Sequence, residues 1–435
     1  MGKASRGARS RHPGRMLRAG TAAAVALVAL VGCTASEPGP SPTRSTSEVV
    51  SQGWTEIPVP TAGARVLVFL IVGNRTLALG SVWHGSTRAP AAWSTTDFAR
   101  WTALTVHPVT GYGRLAEFTM GAVDTTDRHT PGRIVAWGQA FGGAHSNPRP
   151  TTWTGSPGAP HTSGMLTEHE QPFTMFGGED AIATDAEAAY GGTMLLAGSW
   201  DSRTTLDGPG RYGAAVWLSG SGTTWTRHTD LAGLSSSNGE QTSAVGAAAG
   251  PTGFVLVGAS ARYGQSGPPS TALAWFSNDG LAWQRVALPN AESAVASRVA
   301  CGSRACTMIG STFASEQHLI CWRTDAAGRV TETSDGPGRG LVDVTGVVAE
   351  QASVADAPTT SGADAANAAT DRIWTVADFD HVARLFTLSS DCSGWTPMPM
   401  PTKAETAVVT VLHDRVVMAT SNSDASRLWV RSVKG

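Results

Sequence analysis

The chain has 435 residues, 41% hydrophobic and only 15% charged, with 50 Gly, 24 Pro and 15 Trp. That is the turn-rich, aromatic-rich balance of a many-stranded β protein, not of a helical one. The first 32 residues hold six basic residues and no acid, so the remainder carries 26 basic against 34 acidic groups, a net charge of −8 that disfavours nucleic acid as a partner.

In chain order, six basic residues from Lys3 to Arg18 precede the apolar run 19–31. This is the layout of an export signal, and the run is shorter than the roughly 20 residues of a permanent bilayer span. Residues 33–52 are rich in Ser, Thr, Pro and Glu and read as a disordered tether, so the folded part is expected over 53–435. No later run is long and apolar enough to cross a membrane as a helix.

The folded part is repetitive. Seven units run over 61–106, 114–168, 179–231, 240–288, 292–335, 340–401 and 405–435. Each offers short apolar runs bounded by Gly, Pro, Asn or Asp, the punctuation of strands and turns. The third strand is marked by Trp93, Trp153, Trp217, Trp275, Trp322, Phe386 and Trp429, and the fourth by Trp101, Trp225, Trp283 and Trp395. The second strand ends at Gly80, Gly138, Gly198, Gly258 or Gly310, read as points where the chain turns without a side chain. The Ala-, Thr- and Ser-rich stretch 350–370 reads as a flexible insertion in the sixth unit. The seventh unit lacks its fourth strand, and the segment Gly53-Trp54-Thr55-Glu56-Ile57 has the character of the missing one. An open sheet edge invites aggregation, so residues 53–59 are expected to complete the last unit.

Ser277, Asp279, Gly280 and Trp283 resemble the Asp-box of sialidase-type β-propellers, shortened by one residue between the Ser and the Trp. Ser219 and Ser389 keep the same six-residue distance to a Trp, and Ser94 stands seven before Trp101. The resemblance implies that the units are blades of a β-propeller, and the seven repeats then make it a seven-bladed β-propeller of four-stranded antiparallel blades. It also implies that the box is a fold device away from any active site. Leu30-Val31-Gly32-Cys33 resembles a bacterial lipobox, which implies a lipid on Cys33 and an extracytoplasmic, membrane-anchored lipoprotein.

With Cys33 given to lipid, four cysteines remain in an oxidising compartment. Three pairings are open. Closeness in sequence favours Cys301 with Cys306, and neighbouring units favour Cys321 with Cys392. A zinc site would want a two-residue knuckle and accompanying His, which this stretch lacks.

Candidate binding residues fall on the loops between second and third strands: His84, Arg88, His145, Arg149, Arg203, Arg211, Tyr212, Arg262 and Tyr263. Arg forks suit carboxylates, and aromatic faces suit sugars or peptide side chains. A Glu precedes the innermost strand in five units, at Glu117, Glu179, Glu240, Glu292 and Glu405. A ring of these at the channel mouth would suit a cation such as calcium; alternatively each would accept hydrogen bonds within its own turn. Glu168-His169-Glu170 reads as a cluster of solvated charge in a connecting loop.

The expected protein is a monomeric binding module with no cofactor, engaging an envelope protein, a peptide or a glycan. The alternative is a sialidase-like glycoside hydrolase, whose signature tripeptide is missing from the first unit. Tyr212 or Tyr263 with Glu179 or Glu240 would be its nearest approach to a catalytic pair.

Overall fold

The computed structural model describes residues 50–433 apart from the segments 125–131, 141–148, 159–161, 173, 177–182, 202–211, 237–239, 263–269, 303, 314–315, 339, 341, 351–371, 413 and 423–424. The leader, Cys33, most of the tether and the insertion therefore lie outside the described residues.

Seven antiparallel sheets follow one another around a ring, each meandering from its innermost strand outward. Blade 1 comprises Ala64–Val72, Arg75–His84, Thr87–Thr95 and Thr102–Ala103. Blade 2 comprises Glu117–Asp124, Arg133–Ala140, Arg149–Ser156 and Met165–His169, with Thr105–His107 added parallel along its outer edge. Blade 3 runs through Ala183–Tyr190, Thr193–Asp201, Tyr212–Ser219 and Thr226–His228. Blade 4 follows with Glu240–Gly250, Gly253–Arg262, Thr271–Ser277 and Gln284–Glu292. Ala294–Cys301, Ala305–Thr312, Leu319–Asp325 and Val330–Asp335 form blade 5. Val342–Ala349, Arg372–Phe379, Val382–Ser389 and Thr396–Met398 form blade 6.

Blade 7 draws three strands from the C-terminus, Thr406–Leu412, Arg415–Ser421 and Ser426–Ser432, and its fourth, Trp54–Ile57, from the start of the folded region. Thr55 lies opposite Val430, Glu56 opposite Trp429 and Ile57 opposite Leu428, so the ring closes as the repeat count requires. Arg427 forks onto Glu56 with bonds of 2.9 and 2.6 Å, and this contact raises the guanidinium pKa. Trp54 is wholly buried, its indole N–H donating to the Pro399 carbonyl of blade 6 at 2.8 Å.

The core lies between blades. Second strands are covered on both faces, which is why they read as compact apolar runs instead of alternating ones. Their glycines are not turn residues, contrary to the sequence reading. Gly80, Gly138, Gly198, Gly258 and Gly310 each pair with the residue just before a bulge in the first strand. A Cβ at Gly80, Gly258 or Gly310 would sit 1.8 to 1.9 Å from the carbonyl oxygen of Arg65, Ser243 or Val295. At these three positions the bulge presses a carbonyl onto the neighbouring strand where a Cβ would stand, whereas blade 6 places Ala377 opposite the residue before its bulge.

The hairpins between third and fourth strands in blades 1, 3, 4 and 6 share a spacing, a Ser or Thr six residues before a Trp, and blade 4 shows the full arrangement. Ser277 Oγ accepts the amide of Gly280 at 2.8 Å, Asp279 accepts the amides of Leu281 and Ala282, and the Trp283 indole donates to the Gly280 carbonyl at 2.9 Å. Those two amides hold the Asp279 carboxyl below its ordinary range. In blade 1 the place of Ser277 belongs to Thr95, not to Ser94 as the sequence suggested. Thr95 Oγ1 accepts the amide of Phe98, and Asp97 accepts those of Ala99 and Arg100. This register puts Thr95, like Ser219, Ser277 and Ser389, six residues before its Trp.

The third residue after the Ser or Thr has a positive φ in all four hairpins: Phe98 at 62°, Gly222 at 75°, Gly280 at 79° and Cys392 at 66°. It packs on the preceding blade. A Cβ at Gly280 would meet Leu218, one at Gly222 would meet Thr154, and Cys392 is bonded to Cys321. The second disulfide joins Cys301 to Cys306, opposite one another across the first hairpin of blade 5.

Candidate functional site

The register within blade 2 puts the start of its first strand, the end of its second and the start of its third on one edge: Glu117 faces Gln139, and Ala140 faces Arg149. Arg88 and Trp83 occupy the matching edge of blade 1. Glu117 joins the two edges. It is buried and accepts Arg65 at 2.7 Å, Arg88 at 2.5 Å and the Ser81 hydroxyl at 2.5 Å. The Arg88 guanidinium also lies 4.6 Å from the Trp83 ring centroid.

The carboxylates read as a channel-mouth ring are used differently. Glu117 cements two blades. Glu240 takes two bonds from Arg285, at 2.9 and 2.5 Å, and stands opposite Arg262 in the sheet. The Arg285 contact holds the Glu240 carboxyl below its ordinary range. Glu405 is exposed, its backbone amide donating to Asn422 at 3.3 Å. Glu179 lies outside the described residues, and so does the side chain of Glu292. Among the described residues no group of three His, Cys, Asp or Glu is arranged to hold a metal ion.

Of the loop candidates, His145, Arg203, Arg211 and Tyr263 lie outside the described residues. His84 is exposed at a two-residue turn, and Arg262 is exposed at the end of its strand. Tyr212 is buried, and its carbonyl accepts the amide of Ser236. Of the four residues considered for a sialidase-like pair, Tyr212 and Glu240 are described, the first buried and the second bound by Arg285, and Glu179 and Tyr263 lie outside the described residues.

The sequence reading missed the most finished feature of this face. Glu168 is not solvated loop charge. It is buried near the end of the last strand of blade 2, where its carboxylate accepts the amides of Val109 at 2.6 Å and Thr110 at 2.8 Å and the Thr110 hydroxyl at 2.6 Å. The Thr110 hydroxyl in turn accepts the amide of Gly113, which opens the short 3-10 turn Gly113–Leu115. Gly113 is glycine for a local reason, since a Cβ there would lie 1.9 Å from the Glu168 carboxylate.

The pinned loop turns its apolar side chains outward: Val109 is 53% exposed, Tyr112 44% and Leu115 45%. Three of the seven exposed large hydrophobics among the described residues thus sit in one loop. Arg149 lies 5.9 Å from the Tyr112 ring centroid, and Arg114 is exposed between Tyr112 and Leu115. The neighbouring His169 bonds the Thr154 hydroxyl at 2.6 Å, and burial lowers its pKa. Glu168→Ala should cost about 3 kcal/mol, because it removes a charged acceptor serving three donors. Hydrogen exchange should report the loss locally, with the amides of Val109, Thr110 and Gly113 losing protection while the other blades keep theirs.

No family model matches the chain, and no curated protein sequence matches it either. Solved structures do. The polysaccharide lyase Uly1 is similar with a TM-score of 0.49 and 8% identity, over 85% of this chain and 90% of that one. A glycosyl hydrolase from Bacteroides ovatus is similar with a TM-score of 0.32 and 12% identity, over 62% of this chain and 85% of that one. Prolyl oligopeptidase B from Galerina marginata is similar with a TM-score of 0.46 and 9% identity, over 85% of this chain and 49% of that one. At these identities the likeness is one of chain architecture, and it carries no residue role with it.

Proposed function

We propose that the chain is an extracytoplasmic binding propeller, tethered through Cys33, that holds an envelope protein or peptide on the blade 1 and blade 2 face without transforming it. The observation that carries this reading is the exposure of Val109, Tyr112 and Leu115 on a loop whose backbone is already held by Glu168. A loop ordered before binding loses little entropy on binding, so its apolar contacts count in full. Tyr and Arg are the side chains that most often anchor interfaces, and here they are stacked in advance. Val and Leu suit apolar side chains better than hydroxyl-rich sugar.

Glu240 in particular suits an ion-pair partner better than a general acid. A general acid needs a raised pKa, whereas Glu240 is held low by Arg285. The two disulfides suit an oxidising compartment, and the basic leader with Leu30-Val31-Gly32-Cys33 supports the tether.

A photo-crosslinking residue in place of Tyr112, used in intact membranes, should give a discrete adduct. The same residue in place of the exposed Leu281 should not. Equal labelling from both positions would refute the assigned face. Failure of the parent protein to take up a labelled fatty acid, or equal uptake by Cys33→Ser, would refute the tether, and turnover of a fluorogenic sialoside by the purified protein would refute the non-catalytic reading.

A further inference from the structure

Six of the seven first strands carry a bulge, after Val66, Phe118, Thr184, Ala244, Ala296 and Val344. The residue three places after each of these is Phe69, Gly121, Glu187, Ala247, Val299 and Val347 respectively. This position faces the preceding blade. Ala247 packs with Leu195 and Ala197 of blade 3, Val299 with Val255 and Val257 of blade 4, and Val347 with Ile309 of blade 5. In five blades it is apolar or glycine. In blade 3 it is a carboxylic acid.

Glu187 has no compensation for this placement. Both carboxylate oxygens are fully covered, and neither has a hydrogen-bond partner among the described residues. Ala189, on the same face of the strand, packs into the cluster of Val135, Trp137, Leu196 and Trp217 that fills the seam between blades 2 and 3. Thr119 Oγ1 and the Trp137 indole N–H, both from blade 2, are also buried without a partner.

The charged groups on the strands packed around Ala183–Tyr190 are Glu117 and Asp124 of blade 2, Asp201 of blade 3, and Glu240 and Arg262 of blade 4. Each stands at an end of its strand, while Glu187 is in the middle of its own. Asp185 and Tyr190 share the strand of Glu187. Burial alone pushes the Glu187 carboxyl well above its ordinary range, with no charged group adding to it or opposing it. A comparable polar intrusion in blade 5 is fully served. Arg298 donates to the carbonyls of Val245, Ser297 and Thr345, which are the bulge residues of three successive blades.

We propose that Glu187 is a proton-operated latch on the seam between blades 2 and 3, which closes over the neutral acid and parts to hydrate the carboxylate. The sign follows from linkage. A folded-state pKa above the unfolded one gives stability that is complete below the unfolded value and is lost as pH rises through the folded value. The seam is therefore tight in acid and loosens toward alkaline pH. Blade 2 carries the pinned loop, so the latch places the proposed binding face under pH control.

Hydrogen exchange on the full chain, compared with Glu187→Gln at matched pH, tests this directly. The rates of wild type and variant should agree at pH 4, below the unfolded value, for the amides of Glu117–Asp124 and Ala183–Tyr190. By pH 8.5 the wild type should exchange about tenfold faster there, with blades 5 and 6 unchanged. Glu187→Val installs the residue that blades 5 and 6 use and should match the Gln variant, which keeps the test intact if either one folds poorly. A wild-type to variant ratio that stays near one at both pH values would overturn the latch. So would a rise shared by all seven blades, because that would report global loosening without a seam.

Discussion

Trp54→Ala should destabilise the propeller by about 3–5 kcal/mol, the usual cost of emptying a large buried aromatic site. Its indole is wholly covered and donates to Pro399, so the change leaves both a cavity and an unpaired carbonyl between blades 6 and 7. Deleting residues 50–57 should do more, and differently. It strips the fourth strand from blade 7, exposes the edge of Ser426–Ser432 and leaves Arg427 without Glu56. An unpaired edge recruits other strands, so the truncated protein should self-associate as well as melt earlier. Thermal melting together with light scattering after size exclusion would check both effects. A monomeric truncated protein melting within a degree or two of the parent would mean that the ring does not depend on this strand.

Breaking Cys321–Cys392 is the second large effect. The bond closes a span of 71 residues, for which chain entropy gives about 4 kcal/mol, whereas Cys301–Cys306, with a separation of 5, is worth about 2 kcal/mol. Calorimetry of Cys321→Ser and Cys301→Ser proteins should return that order. Residue 392 adds a finer test, because it occupies the positive-φ position that Gly222 and Gly280 fill elsewhere. Once the bond is gone, Cys392→Gly should be more stable than Cys392→Ser by roughly 1 kcal/mol, since glycine takes that backbone conformation without strain. Equal melting of the two double variants, each with Cys321→Ser, would mean that the hairpin relaxes out of the left-handed conformation.

The repeat was legible because every blade solves the same burial problem with the same materials. A third-strand aromatic, an apolar second strand and a polar hairpin recur at matched spacing, and spacing is a property of the chain alone. Closure could also be read from residues, since a seventh unit one strand short and a spare Trp-bearing strand at residue 54 leave few arrangements with no open edge. The second-strand glycines were visible as a pattern, but their cause was not. A glycine that receives a carbonyl from a bulged neighbour looks, in one dimension, like a glycine at a turn.

What the sequence by itself determined is the number of blades, their four-stranded make-up and the joining of the two ends, because periodic burial and edge protection leave a periodic trace. Only the tertiary structure decided what the charged side chains do. Glu117 meets Arg65 and Arg88 from another blade, Glu168 holds a loop 59 residues away in the chain, and Glu187 has no hydrogen-bond partner among the described residues. The three are the same amino acid, and their energies differ because each depends on which groups from distant segments come within bonding distance. That distance is set when the ring closes, and no local pattern encodes it.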